Sequence, residues 1–254
     1  MKVSLIQTSL AWEDPQANRD NFDKLIAGIE ATDIIILSEM FSTGFTMNPA
    51  AVAETMEGKT VQWMKATAAV KGCAITGSVV ITEEGKYYNR LFFITPDGKV
   101  LTYDKRHLFT LAGEHKAYTP GDKKLIVDYR GWKICLLVCY DLRFPVFSRN
   151  LEDYDLLVYV ANWPAPRVAA WDALLRARAI ENMSYSIGVN RIGEDVTGHV
   201  YPGHSQVVDY LGAYIVEPTA GENVFTVELD KKELEKARNK FGFLNDRDEF
   251  ILRD

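Results

Sequence analysis

Ile134-Cys135-Leu136-Leu137-Val138-Cys139-Tyr140-Asp141-Leu142-Arg143-Phe144-Pro145 is the stretch on which the fold turns. Five apolar residues run without a polar interruption and then give way to a tyrosine, two charges and a proline. A short continuous apolar run marks a strand buried on both faces, as in the parallel part of a layered sheet. The proline begins a short helix over Pro145–Leu151, because its fixed φ and missing N–H suit a first turn. Leu156–Ala161 repeats the pattern. It is followed by a longer helix over Pro166–Met183 that carries Leu174, Leu175 and Ile180, and then by strands at Ser184–Asn190, Ser205–Tyr210 and Val224–Leu229. Lys231–Asn239 is a last, charged helix, and the tail from 242 to 254 drapes over the surface.

The first half alternates in the same way. After a strand at Val3–Thr8, Phe22, Leu25, Ile26 and Ile29 form the i, i+3, i+4, i+7 stripe of an amphipathic helix over Ala17–Ala31. Ile34-Ile35-Ile36-Leu37 is a buried strand, and Thr60–Val70 a second helix with Val61, Met64 and Ala68 on one side. Cys73–Ile81, Tyr88–Thr95 and Lys99–Tyr103 are strands joined by Glu83-Glu84-Gly85-Lys86 and Pro96-Asp97-Gly98. Links this short join antiparallel neighbours. Helices flanking sheets of mixed direction make one layered α/β domain over 1–254.

Composition narrows the class of protein. A chain of 254 residues buries about 70–75% of its unfolded surface and needs neither disulfides nor a structural metal to hold a core. Its 29 Lys and Arg against 35 Asp and Glu give a net charge of −6. That lacks the basic excess of a dedicated nucleic-acid or anionic-membrane binder. No apolar run reaches a membrane span, and the N-terminus reads as a strand rather than a leader. Three cysteines make a poor disulfide framework, and the expected compartment is a reducing cytoplasm.

Candidate chemistry lies at strand ends, where open α/β sheets place their ligands. Cys139 closes the central run and can face the N-terminus of the next helix, where a thiolate is favoured. Cys135 lies four residues away, about 13 Å along a strand, too far for a disulfide or a shared metal. Cys135 and Cys73 are therefore core filler. His107, His115, His199 and His204 show no ligand spacing, so no metal site is expected. Glu39 ends Ile34–Ser38 beside Met40 and Phe41, a desolvated position that suits a general base. Lys105 follows a strand within Tyr103-Asp104-Lys105-Arg106-His107, and Glu114 lies in Gly113-Glu114-His115. A thiol needs an activator. A carboxylate and a lysine, not a histidine, occupy the corresponding strand ends.

Glu39, Lys105 and Cys139, in that chain order, resemble the triad of the nitrilase superfamily, the carbon–nitrogen hydrolases. Glu114 matches the additional glutamate between lysine and cysteine. Asn162-Trp163-Pro164 and Arg176-Ala177-Arg178-Ala179-Ile180-Glu181-Asn182 match the segments that follow. The similarity runs from Met1 to about Phe241. One departure is Ser38, where many relatives carry proline. The resemblance implies a four-layer α-β-β-α sandwich, with two subunits pairing into an eight-layer homodimer or a higher homo-oligomer. It also implies a thioester mechanism without cofactors, in which the Tyr140 backbone N–H joins Lys105 at the oxyanion. Cys-Tyr-Asp-Leu-Arg-Phe-Pro and Ala-Asn-Trp-Pro-Ala-Pro-Arg look most like the ω-amidase branch, which deaminates 2-oxoglutaramate and 2-oxosuccinamate. An N-carbamoyl hydrolase or another aliphatic amidase stays open, as does a silent scaffold relative. A small anionic amide needs a cation. Arg167 and Arg143 are the candidates for it, Phe41, Tyr118 and Trp163 for the pocket wall, and His204 for the entrance.

Overall fold

The computed structural model describes residues 1–252. The chain forms β1 (Lys2–Gln7), α1 (Pro15–Ala27), β2 (Ile34–Ile36), α2 (Pro49–Val52), α3 (Lys59–Lys71), β3 (Ala74–Glu83), β4 (Lys86–Ile94), β5 (Val100–Asp104), α4 (Glu114–Ala117), β6 (Leu125–Tyr129) and β7 (Trp132–Val138). It continues with α5 (Pro145–Ser148), β8 (Leu156–Ala161), α6 (Val168–Asn182), β9 (Tyr185–Asn190), β10 (Ile192–Glu194), β11 (Val200–Pro202), β12 (Gln206–Val208), β13 (Tyr214–Val216), β14 (Asn223–Glu228) and α7 (Lys231–Phe241).

Two six-stranded sheets stand at the centre, ordered β14-β1-β2-β3-β4-β5 and β13-β12-β9-β8-β7-β6. Each has a parallel heart, β1-β2-β3 and β7-β8-β9, flanked by antiparallel strands. The antiparallel expectation for β3, β4 and β5 holds. Glu83 pairs with Lys86 across a two-residue turn whose Glu84 and Gly85 both have positive φ, 51° and 75°. That is the hairpin conformation that matches strand twist.

Side-chain alternation assembles the layers. Ile34 and Ile36 join Val3, Leu5, Leu91 and Phe93 of the first sheet against Ile134, Leu136 and Val138 of the second. Ile35 and Leu37 face the other way, onto Phe22 and Ile26 of α1 and Val61 and Met64 of α3. Trp171 and Leu175 of α6 cover the far side of the second sheet at β9, where Gly188 leaves no room for a Cβ against either side chain. The expected α-β-β-α sandwich is the architecture observed. β6, β13, the small β10–β11 hairpin, α2 and α4 carried no expectation. In the tail, Phe243–Asp246 form one 3-10 turn, and residues 253–254 lie outside the described residues.

Candidate active site

The parallel hearts of the two sheets bring their carboxyl ends together. Glu39 follows β2, Cys139 follows β7 and Asn162 follows β8. Cys139 has φ 45°, a left-handed conformation that throws its side chain out of the strand line at a sharp turn into a 3-10 segment, Cys139–Arg143. Such a conformation costs about 1–3 kcal/mol in a non-glycine residue and persists only where its surroundings hold it. Lys105 arrives from β5. Its backbone N–H donates to Asn89 O at 3.0 Å, continuing the β4–β5 ladder one residue past the Arg90–Asp104 pair. Arg90 clamps that end of β5 through bonds of 2.6 and 2.9 Å to Asp104.

The polar cluster is buried. Lys105 Nζ donates to Glu39 Oε1 at 2.8 Å and to both oxygens of Glu114 at 3.0 and 2.9 Å. Asn89 Nδ2 donates to Glu39 Oε1 at 2.8 Å and to Glu114 Oε1 at 3.3 Å. The backbone N–H of Asn162 donates to Glu39 Oε2 at 2.9 Å, and its side-chain amide to Glu39 O at 2.6 Å. Phe109 N–H donates to Glu114 Oε2. Every carboxylate oxygen thus has a donor, as buried charge requires. Cys139 Sγ lies 4.0 Å from Asn162 O.

One ammonium faces two carboxylates. Burial works against the Lys105 charge, but Glu114 and then Glu39 outweigh it and hold the ammonium well above its ordinary value. Burial drives the Glu114 carboxyl upward, opposed by Lys105 and helped by Glu39. Burial and then the Glu39 carboxylate push the Cys139 thiol far up, with Lys105 pulling only partly back. The favoured thiolate expected from a helix N-terminus is therefore corrected: one 3-10 turn does not offset burial beside a carboxylate. The resting thiol keeps its proton, and a nucleophile forms only as that proton leaves. Cys73 and Cys135 are also buried and free, and burial raises both thiols.

A cavity of about 540 Å³ opens above Cys139 and Lys105. Tyr140, Arg143, Trp163 and Arg167 line it, as the sequence suggested. The Arg143 guanidinium lies over Trp163 at 5.1 Å and that of Arg167 over Phe109 at 5.1 Å. Neither is ion-paired with a carboxylate among the described residues. Two expected wall residues and the expected entrance residue lie elsewhere. Phe41 is wholly buried in the core, edge-on to Phe22 and 5.8 Å from Trp63, because it points back under β2 toward α1 and α3. Tyr118 packs with Met40, Val52, Val80 and Leu108 and donates its hydroxyl to Thr46 O at 2.8 Å, behind the wall rather than on it. His204 binds Asp172 at 3.0 Å on α6 and is not part of the lining. Residues without a sequence expectation complete the cavity: Trp12 and Phe45 from two loops, and Thr197, His199 and Tyr201 from the β10–β11 hairpin. Asn89 was equally unforeseen, although the strand register places it opposite Lys105.

A glutamate, a lysine and a cysteine joined at three strand ends under a small-molecule cavity define a class of hydrolase, and comparison with known proteins agrees. Residues 2–239 match the carbon–nitrogen hydrolase family, and the chain belongs to it. It is 47% identical over 253 residues to omega-amidase YafV of Escherichia coli, covering 99% of this chain and 98% of the relative. It is 29% identical to 2-oxoglutaramate amidase of Bacillus subtilis, covering 96% of each. The crystal structure of a CN-hydrolase superfamily protein from Xanthomonas campestris, with an arsenic adduct in its active site, superposes with a TM-score of 0.98 at 44% identity. It covers 100% of this chain and 99% of that one.

Proposed function

We propose that the protein is an ω-amidase that hydrolyses small carboxylate-bearing monoamides, 2-oxoglutaramate or 2-oxosuccinamate, to the dicarboxylate and ammonia. The observation that carries this reading is the buried Glu39–Lys105–Glu114 cluster beside Cys139, roofed by a cavity with two unpaired guanidiniums. Glu39 accepts the thiol proton while Cys139 Sγ bonds to the amide carbon. The carbonyl oxygen becomes an oxyanion held by Lys105 Nζ and the Tyr140 backbone N–H. Glu39 returns the proton to the departing nitrogen, ammonia leaves, and a thioester remains. Glu39 then takes a proton from water, the hydroxide adds to the thioester carbon, and the acid leaves as Cys139 Sγ regains its proton. Glu114 holds Lys105 from the other side. Arg143 and Arg167 offer planar forks that match a carboxylate, and stacking on Trp163 and Phe109 orients them without neutralising them.

Free buried thiols suit a reducing compartment, and subunit pairing of the family type belongs to the same proposal. Ammonia release from 2-oxoglutaramate, succinamate and N-carbamoyl amino acids tests the substrate class. Turnover is expected with the first two. Preference for the N-carbamoyl compounds would instead make it a carbamoyl hydrolase of the same fold. Inertness to all of them, with iodoacetamide failing to modify Cys139, would leave a scaffold.

A further inference from the structure

We infer that Asp141 is the positioning residue that sets the distance between Lys105 and Cys139, and with it the geometry of the oxyanion site. The inference rests on the hydrolase reading above.

Lys105 and Cys139 come from different sheets, so no ladder of backbone bonds fixes one against the other. Glu39 links Lys105 Nζ to the Asn162 N–H of the second sheet, and Asp141 ties together the backbone segments on which Lys105 and Cys139 sit. Its carboxylate is fully buried and accepts four hydrogen bonds. Oδ2 takes the backbone N–H of Val138 at 2.9 Å and the hydroxyl of Tyr103 at 2.8 Å. Oδ1 takes the backbone N–H of His107 at 3.1 Å and the His107 ring at Nδ1, 2.7 Å away. Val138 immediately precedes the nucleophile. Tyr103 and His107 lie two residues before and two residues after Lys105. One carboxylate, two residues beyond Cys139, therefore grips the lysine segment on both sides and the strand end that launches the cysteine.

The partners are themselves held. The His107 ring stacks on Phe144 at 3.7 Å with 6° between planes and meets Phe147 edge-on. Tyr103 stacks on Phe147 at 6.5 Å, and its hydroxyl also accepts the Arg106 N–H at 3.1 Å. Among the described residues no lysine or arginine pairs with Asp141, and the His107 ring is its basic neighbour. Four donors converge on it, so an amide in its place must turn an NH2 group toward donors at one oxygen position or the other. The same tie accounts for the left-handed φ of Cys139, because the bond from Val138 N–H to Asp141 closes the turn around it.

The test separates positioning from folding. Asp141→Asn and Tyr103→Phe are compared with wild type for amide kcat and KM and for the rate at which iodoacetamide alkylates Cys139. Alkylation is a displacement at a saturated carbon that forms no oxyanion, so it does not need the oxyanion geometry and feels Lys105 only through its partial pull on the thiol. Asp141→Asn is expected to lower kcat per alkylatable site by about 10²-fold, the scale of an ångström-sized misplacement. KM and alkylation rate stay near wild type. Tyr103→Phe lowers kcat less, and the double variant loses no more than Asp141→Asn alone, because the Tyr103 arm ends on the same carboxylate. Wild-type kcat per alkylatable site in both variants overturns the inference, as does a loss confined to KM or alkylation falling in step with kcat. Should Asp141→Asn fail to fold, Tyr103→Phe decides by the same criteria. Wild-type protein inert to every amide would overturn the hydrolase reading instead.

Discussion

Replacing Lys105 with methionine tests the electrostatic core of the site. The side chain is fully buried, and its ammonium is the cation between Glu39 and Glu114, 2.8 and 2.9 Å away. Removing one partner from a buried ion pair typically costs about 3–5 kcal/mol. Both carboxylates keep other donors here, Asn89 and Asn162 for Glu39 and Asn89 and Phe109 for Glu114. The loss should therefore fall at the lower end, about 3 kcal/mol. Its pH dependence has a definite sign. Because the folded ammonium is held above its ordinary value, the wild-type contribution is complete below the ordinary lysine value of about 10.4 and fades only above it. In the variant the Glu114 carboxyl, which burial already holds above its ordinary value and Lys105 no longer pulls down, keeps in the folded state a proton that the unfolded chain releases, so its stability rises as pH falls. The deficit against wild type is then larger at about pH 8 than at about pH 5. Urea denaturation followed by tryptophan fluorescence at both pH values reads this directly. Ammonia release should fall by about 10²–10³-fold in kcat with the loss of one oxyanion donor. A variant with the wild-type midpoint at both pH values would refute the charge-balance account, and one with wild-type kcat would remove Lys105 from the oxyanion.

Further outcomes follow from single features. Arg143→Leu and Arg167→Leu each remove a candidate charged hydrogen bond of about 1.5–3 kcal/mol. Whichever guanidinium meets the carboxylate should raise KM for 2-oxoglutaramate by about tenfold or more and leave an uncharged amide untouched. Initial-rate kinetics on both substrates read it, and no change in either variant would move the anion site elsewhere. Glu114→Gln keeps an acceptor for Phe109 but frees Lys105 to swing toward Glu39. Its kcat should drop by up to about 10²-fold with KM preserved, and an unchanged kcat would make Glu114 structural. Gly188→Ala drives a methyl into Trp171 and Leu175. It should cost about 1–3 kcal/mol of stability in a melting experiment, and a wild-type Tm would contradict the close α6–β9 contact.

Much of the fold is legible because its interior strands are unmistakable. β8 begins and ends where its apolar run does, and β7 ends where its run does but starts two residues earlier, through the exposed Lys133, since strand segments covered on both faces admit little that is polar. The edges are less legible. Leu125-Ile126-Val127-Asp128-Tyr129 pairs on one side only, and β13 has three residues. At such positions exposure permits mixed composition. The site divides in the same way. Cys139 and Glu39 stand out as polar residues closing apolar strands, whereas Lys105 follows the mixed strand Val100–Asp104 and is singled out by the family resemblance. Asn89 sits inside an ordinary strand pattern, and only the β4–β5 register brings it to Lys105. Phe41 and Tyr118 were misplaced because an aromatic residue next to a catalytic-looking position faces the core as readily as the cavity, and sequence spacing does not give the direction of a side chain beyond a tight turn. Met40, at φ 42°, makes that turn and sends Phe41 inward.

In the proposed reaction, Cys139 carries the acyl group between the two halves. Protein quenched in acid during turnover of 2-oxoglutaramate, digested and weighed by mass spectrometry, should show the acyl adduct on the peptide containing Cys139. The adduct should be absent from Cys139→Ala, which should release no ammonia. An adduct on another residue, or ammonia release by Cys139→Ala at the wild-type rate, would contradict it.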